Sequence, residues 1–284
     1  MKILNLLFLG LLAFAGTLNA KTFTLFILTG QSNSLGAIKG NFADPEKMKP
    51  EPKLLFWHKN FGAYCTGTPS KSWGKIEPQK ESQIVMGPEY GFAQTLQARA
   101  ATRFKPSSTG ILKASRDGGG NGEWVSPDGL AYVNLMVAAR ESLAALPALG
   151  FDKVEVAALL YLQGESNKGE EIPAAGTRFK TFFETLKKDL SKINVPGLRV
   201  ESAQMKAVVG EPASFWGKDA SFAGTTSVEE LKKIVGANKK IFIFVPTRDL
   251  PKIKSGDNLG VHYDGNAQLE IGRRFAEAYL KILK

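Results

Sequence analysis

The chain has 284 residues, 43% hydrophobic and 23% charged, and 37 lysines and arginines against 27 aspartates and glutamates give a net charge of +10. These proportions are those of a folded globular chain, and they exclude a disordered tail, a coiled coil and a collagen. A single cysteine, Cys65, excludes an intramolecular disulfide framework, a cysteine-based zinc cluster and a CxxC redox motif.

Residues 1–20 read as a secretory signal. Met1-Lys2 gives a positive start, residues 3–15 are apolar apart from Asn5 and Gly10, and small residues run from Gly16 to Ala20. The apolar run is shorter than the roughly 20 residues that cross a bilayer. The mature protein is therefore expected to start near Lys21, to be secreted or periplasmic, and to have no membrane span. Its basic residues fall in short pairs such as Lys187-Lys188 and Lys232-Lys233, with acidic residues among them. Without a dense basic stretch or a nucleic-acid motif, no nucleic-acid partner is expected.

Residues 23–29, FTLFILT, are β-branched and apolar and stop at Gly30, which predicts a buried strand. A short strand is expected at 54–57. A helix is expected at 89–104, where Pro88 precedes Phe92, Leu96 and Ala100 at helical spacing. Another short strand follows at 110–114, then an Ala/Leu-rich helix at 130–146. The near-continuous apolar run 154–162 predicts a central strand covered on both faces. Residues 178–190 are amphipathic, with Phe179, Phe182, Phe183 and Leu186 on one stripe. A weaker strand at 198–205, a helix at 228–234, a strand at 241–245 and a final helix at 267–283 complete the chain. Segments 37–53 and 59–87 read as long irregular loops. The alternation predicts one α/β domain over residues 21–284, with a mostly parallel sheet between helices.

Ligands of such sheets bind beyond the carboxyl ends of the strands. Gly30-Gln31-Ser32-Asn33 falls there, after the first strand. A serine on that turn is exposed to the crevice near backbone N–H groups that support negative charge. An N-cap role for Ser32 or Asn33 accounts for the turn equally well. A serine nucleophile needs a base that titrates near neutrality, and the chain has two histidines, His58 and His262. His262 lies in a polar, glycine-flanked loop before the last helix and is favoured, whereas His58 ends a short strand as a packing residue would. Asp257, five residues before His262, is the candidate to orient the imidazole; Asp249 and Asp264 compete, and any of the three could instead be a turn-former. Asp117-Gly118-Gly119-Gly120-Asn121 and Gln163-Gly164-Glu165-Ser166-Asn167 follow two further strands. Their glycines allow close backbone approach to a ligand. Neither a P-loop nor the G-x-S-x-G elbow occurs, since Ser34 stands where the second glycine of the elbow belongs.

Taken in order, GQSN at 30–33, Gly87-Pro88-Glu89, the Gly118–Gly120 loop, QGESN at 163–167 and His262 resemble the SGNH-type carbohydrate esterases. The nearest match is the sialate O-acetylesterase-like domain, which includes the acetyl xylan esterases of carbohydrate esterase family six. The resemblance runs from about Thr24 to Ala278. It implies a three-layer α/β/α, flavodoxin-like SGNH-hydrolase fold, and a serine esterase that removes O-acetyl groups from carbohydrate through an acyl-serine intermediate. No metal and no cofactor are implied, and the partner is an acetylated carbohydrate of xylan or sialic acid type. By motif, Ser32 is the nucleophile and His262 the base and acid. The Ser32 N–H, an N–H at Gly119 and the Gln163 side chain would form the oxyanion hole, with Gln31, Asn33 and Glu165 in support. The family's acid usually stands three residues before the histidine, where this chain has Leu259. Asp257 fits if the loop carries a bulge, which Gly260 would ease. Trp124, just after the glycine loop, is the first candidate for stacking on a sugar, ahead of Trp57, Trp73 and Trp216. A glycan-binding relative without turnover and a lipase or thioesterase of other acyl specificity are the alternatives.

Overall fold

The first strand, β1 (Thr22–Gly30), carries the sequence TFTLFILTG and alternates its faces as a pleated strand must. Phe23, Leu25 and Ile27 enter one hydrophobic cluster, and Phe26 and Leu28 enter another on the opposite face. This is a computed structural model, and it describes residues 20–38, 41–63, 65–81, 83–125, 127–213, 227–253 and 261–284.

A single helical turn, α1 (Ser32–Leu35), follows, then β2 (Ala37–Ile38), β3 (Leu55–His58), β4 (Gln79–Lys80) and β5 (Ile84–Met86). Helix α2 (Glu89–Ala100) leads to β6 (Thr109–Ser115), and α3 (Leu130–Ala144) to β7 (Lys153–Leu162). Then come α4 (Ala175–Leu190), β8 (Arg199–Glu201), β9 (Lys206–Gly210), α5 (Ser227–Ala237), β10 (Phe242–Val245) and α6 (Gly265–Ile282). Seven strands form one sheet in the order β10-β9-β7-β1-β6-β3, with β8 also on β7. All their pairings are parallel. Helices α2 and α6 cover one face through Phe92, Leu96, Phe275 and Tyr279. On the other face lie α3, α4 and α5, through Leu135, Phe179, Phe182 and Leu231. The three-layer α/β/α arrangement agrees with the expectation.

With β3 set aside as an added edge strand, the order β6-β1-β7-β9-β10 is 2-1-3-4-5 in chain order, the flavodoxin-like winding. Chain direction across the sheet reverses around β1, so the crevice opens where β1 and β7 end, at the paired Gly30 and Leu162.

Three details differ from the sequence reading. The strand expected at 198–205 is confined to Arg199–Glu201, and the buried strand of that region is the later Lys206–Gly210. Segments 37–53 and 59–87 are not wholly irregular, because they hold β2, β4 and β5, which make a small antiparallel sheet in the order β2-β5-β4. Strands of two or three residues are too short to show a period. Ser32–Leu35 is a true helical turn, which four residues cannot announce by pattern. Among the described residues no helix is long and apolar enough to cross a membrane.

Candidate active site

At the end of β1, Gly30 takes φ +142°, and a Cβ there would run into the Leu162 carbonyl of β7. Only glycine lets the two strands converge so closely. The next amide, Gln31 N–H, donates to that same Leu162 carbonyl at 3.0 Å. The chain then turns into α1, which starts at Ser32. Ser34 ties the turn down, its hydroxyl donating to the Gln31 carbonyl at 2.6 Å and lying 2.8 Å from Ser115 Oγ at the end of β6.

His262 arrives from the other end of the chain. Its Nε2 lies 2.9 Å from Ser32 Oγ, across 230 residues of sequence. Asn33 secures that meeting. Its Nδ2 donates to the Val261 carbonyl at 2.9 Å and its Oδ1 accepts from the Tyr263 N–H at 3.1 Å, so one side chain grips the backbone on both sides of the histidine. The Asn33 carbonyl in turn accepts from Gln268 of α6 at 3.2 Å. Tyr263 is fully buried, with its hydroxyl 2.7 Å from Thr247 Oγ1. Burial lowers the pKa of His262 from its ordinary value near 6.5. A serine hydroxyl beside a neutral, backbone-held imidazole is a pair able to transfer a proton and attack a carbonyl carbon.

Gln31 and Glu165 link this turn to the QGESN segment. The Gln31 Oε1 accepts from the Gly164 and Ser166 N–H groups at 3.1 and 3.0 Å, and its Nε2 lies 3.0 Å from Ser166 Oγ. Glu165 is fully buried, and its Oε1 accepts from Asn33 Nδ2 at 2.6 Å and from the Ala213 N–H at 3.1 Å. Its Oε2 has no hydrogen-bond partner among the described residues. Burial pushes its pKa up. Among the described residues no three His, Cys, Asp or Glu side chains converge as a metal site requires.

The family model for carbohydrate esterases described as sialic acid-specific acetylesterases matches residues 22–281. The chain belongs to that family. This carbohydrate esterase is a carboxylic ester hydrolase of the acetylesterase kind. Solved structures with the same fold include a protein from Arabidopsis thaliana, 19% identical, TM-score 0.63, covering 91% of this chain and 98% of that one. NanS is 16% identical, with a TM-score of 0.57 and coverage of 93% and 98%. XAC1771, described as a carbohydrate acetylesterase from Xanthomonas citri, is 12% identical, with a TM-score of 0.56 and coverage of 91% and 56%. No curated protein matches the chain.

Other candidate residues of the esterase fall in different places. Asp257, with Leu259 and Gly260, lies outside the described residues, as does Trp216. Asp264 is the N-cap of α6, its Oδ1 accepting the Ala267 N–H at 2.8 Å. Asp249 pairs with Arg274 at 2.6 and 2.7 Å. His58 packs against the Phe56 ring at 5.8 Å and lies 2.9 Å from Ser70 Oγ through its Nδ1, while it is His262 that meets Ser32.

Two expectations need correction. Gln163 does not offer its amide to the crevice. Its Nε2 donates to the Gly119 carbonyl at 3.3 Å and to Asn167 Oδ1 at 2.7 Å, while its Oε1 accepts from the Tyr161 hydroxyl at 3.1 Å. Both hydrogens of the Gln163 amide are thus directed at the Gly119 carbonyl and Asn167. Trp124 is no sugar platform, being 1% exposed, bonded through Nε1 to Thr29 Oγ1 at 3.2 Å and packed edge-on against Tyr161. Trp57 and Trp73, at 3% and 9% exposed, are core residues too. Sequence reasoning put Asn33 only in support. Its grip on both neighbours of His262 had no signal beyond a polar residue beside the serine.

Proposed function

We propose that this carbohydrate esterase is exported and removes O-acetyl groups from a saccharide through an acetyl-serine intermediate. The 2.9 Å contact between Ser32 Oγ and His262 Nε2, braced by Asn33, carries the reading. His262 Nε2 takes the Ser32 proton as Oγ bonds to the acetyl carbonyl carbon. The resulting oxyanion is met by the Ser32 and Gly119 N–H groups, each such donor being worth about 3–4 kcal/mol in a well-studied hydrolase. Collapse breaks the bond from carbon to sugar oxygen, and His262 returns the proton to that oxygen. A water deprotonated by His262 then attacks acetyl-Ser32, the bond from carbon to Ser32 Oγ breaks as His262 returns the proton to Oγ, and acetate leaves.

The role of the acid that orients His262 is assigned to Asp257. The capping of α6 by Asp264 and the pairing of Asp249 with Arg274 support that assignment. Export rests on the charged, apolar and small-residue order of residues 1–20, and sequencing the N-terminus of the exported product should give a start near Lys21. Acetylated xylan-type and sialic acid-type glycans are the substrates to compare.

The test is release of 4-nitrophenol from its acetate, and of acetate from both glycans, by the wild-type protein and Ser32→Ala. The variant should lose about 10³-fold or more in kcat. A Ser32→Ala protein as active as wild type would refute the acetyl-serine route. A wild type that binds glycan without turnover would make it a lectin on an esterase scaffold.

A further inference from the structure

The tryptophans that the sequence offers as sugar platforms are buried wherever they are described, yet a pyranose needs a flat apolar surface beside the ester. Among the described residues, Phe61 is the aromatic one of the exposed large hydrophobic residues, at 36% exposure. Its backbone is tied to the end of β6, with Phe61 N–H donating to the Ser115 carbonyl at 2.8 Å and Asp117 N–H to the Phe61 carbonyl at 3.3 Å. Between those two residues, Arg116 N–H donates to the Gly30 carbonyl at 2.8 Å. Phe61, Arg116 and Gly30 therefore stand abreast along the carboxyl edge, and Gly30 lies two positions before Ser32.

The Arg116 guanidinium lies over the Phe61 ring, 5.3 Å from its centroid. Its Nε and Nη2 donate to the two Glu123 carboxylate oxygens at 2.8 and 3.3 Å, and Nη1 donates to the Asp117 carbonyl. Arg116 also borders the glycine loop, since a Cβ on Gly119 would sit 3.1 Å from Arg116 Cγ. Arg116 thus links the buried Gly119 to the exposed Phe61 ring. Because Glu123 balances the guanidinium, the pair offers an aromatic ring and polar groups without an uncompensated positive charge. That suits a neutral sugar better than an anionic one.

Resting on the acetylesterase reading above, we propose that Phe61 and Arg116 form the subsite that holds the ring of an uncharged, O-acetylated sugar while its acetyl group reaches Ser32. Stacking against an aromatic side chain buries apolar area with directional preference. The subsite sets KM for saccharides and contributes little to the chemical step.

The experiment compares wild type, Phe61→Ala, Phe61→Tyr and a control, Leu149→Ala, whose exposed side chain precedes β7 at the opposite edge of the sheet. Substrates are an O-acetylated xylo-oligosaccharide, an O-acetylated sialic acid and 4-nitrophenyl acetate. For Phe61→Ala, KM for the neutral oligosaccharide should rise about 5- to 10-fold relative to its change for 4-nitrophenyl acetate, with Phe61→Tyr restoring it and Leu149→Ala matching wild type. Equal changes for all three esters, or none, would overturn the proposal; the largest change on the sialic acid ester would overturn its neutral-sugar part. Calorimetric binding of the acetylated xylo-oligosaccharide to Ser32→Ala and to Ser32→Ala/Phe61→Ala reads the subsite without turnover. Weaker binding by the double variant supports the subsite even if the acetyl-serine route fails, and equal binding overturns it.

Discussion

Two buried polar clusters flank the Ser32 turn, and they meet the cost of burying charge in different ways. On the β6 side, Lys113 is fully buried, and its Nζ donates to the Leu35 carbonyl at 2.7 Å, to Gln79 Oε1 at 2.8 Å and to both Glu89 oxygens at 2.9 Å. Glu89 Oε1 also accepts from the Gly87 N–H at 2.9 Å and from Gln79 Nε2 at 3.1 Å. Burial pulls the Lys113 pKa down, and the Glu89 carboxylate opposes it. On the β7 side, Glu165 is as deeply buried but, among the described residues, receives hydrogen bonds on Oε1 alone, from an asparagine and a backbone amide. The first cluster pairs opposite charges around the carbonyl that ends α1. The second pairs a carboxyl with neutral donors and passes its hold, through Asn33, to the loop of His262. A charge closed by a countercharge suits a fixed scaffold. Burial favours the uncharged form of Glu165, and an uncharged carboxyl adds little field beside an imidazole that must gain and lose a proton.

The largest effect that separates the two clusters is on stability. Lys113→Met strands the Glu89 charge in the interior and should cost about 3–5 kcal/mol, read from the urea unfolding midpoint. Lys113→Met/Glu89→Met should recover part of that loss. A single-variant cost under about 1 kcal/mol would mean that the pair is not closed in the way described.

Next comes Asn33→Ala, which frees both backbone anchors of His262. Misplacing a reacting group by about 1 Å costs on the order of 100-fold, so kcat on 4-nitrophenyl acetate should fall by about that factor with KM little changed. A rise in KM with kcat intact would assign Asn33 to substrate binding instead.

The smallest effect is a displacement of the acid limb. Burial disfavours the imidazolium, so neutral His262 persists below the ordinary pKa near 6.5. Activity should therefore hold at pH 6.5 and fall only as pH drops through the lowered value. Glu165→Gln should leave that limb in place, because the shift of His262 arises from burial. A limb centred above about 6.5, or one that moves with Glu165→Gln, would contradict this.

Much of the scaffold was legible because its signals are local. The apolar run at β7 and the phenylalanine stripe of α4 gave strand and helix within a residue or a few of their observed bounds. The β9 strand KAVVG escaped notice because five residues beside a weak neighbouring run show no clear period. Trp124 was misplaced for another reason. Its position just after a glycine loop suggests exposure, but burial depends on α4 and β7, which pack over it from elsewhere in the chain. Phe61 left no sequence signal, since an exposed phenylalanine in a long loop looks like any other. Gln163 was rightly placed at a strand end, but the direction of its amide depends on Asn167, Tyr161 and the carbonyl of Gly119.

By itself the sequence determined the alternation of strands and helices and the fact that Ser32, the glycine loop and QGESN all follow strand ends. Periodicity and turn chemistry are properties of short segments, so they can be read without knowing the fold. The tertiary structure alone decided that Asn33 holds the histidine loop, that Glu165 has neutral donors where Glu89 has a lysine, and that among the described residues Phe61 is exposed while Trp57, Trp73 and Trp124 are buried. These depend on which distant segments meet across the sheet. Ser32 and His262 meet only because β1 lies at the centre of that sheet and α6 packs back beside it.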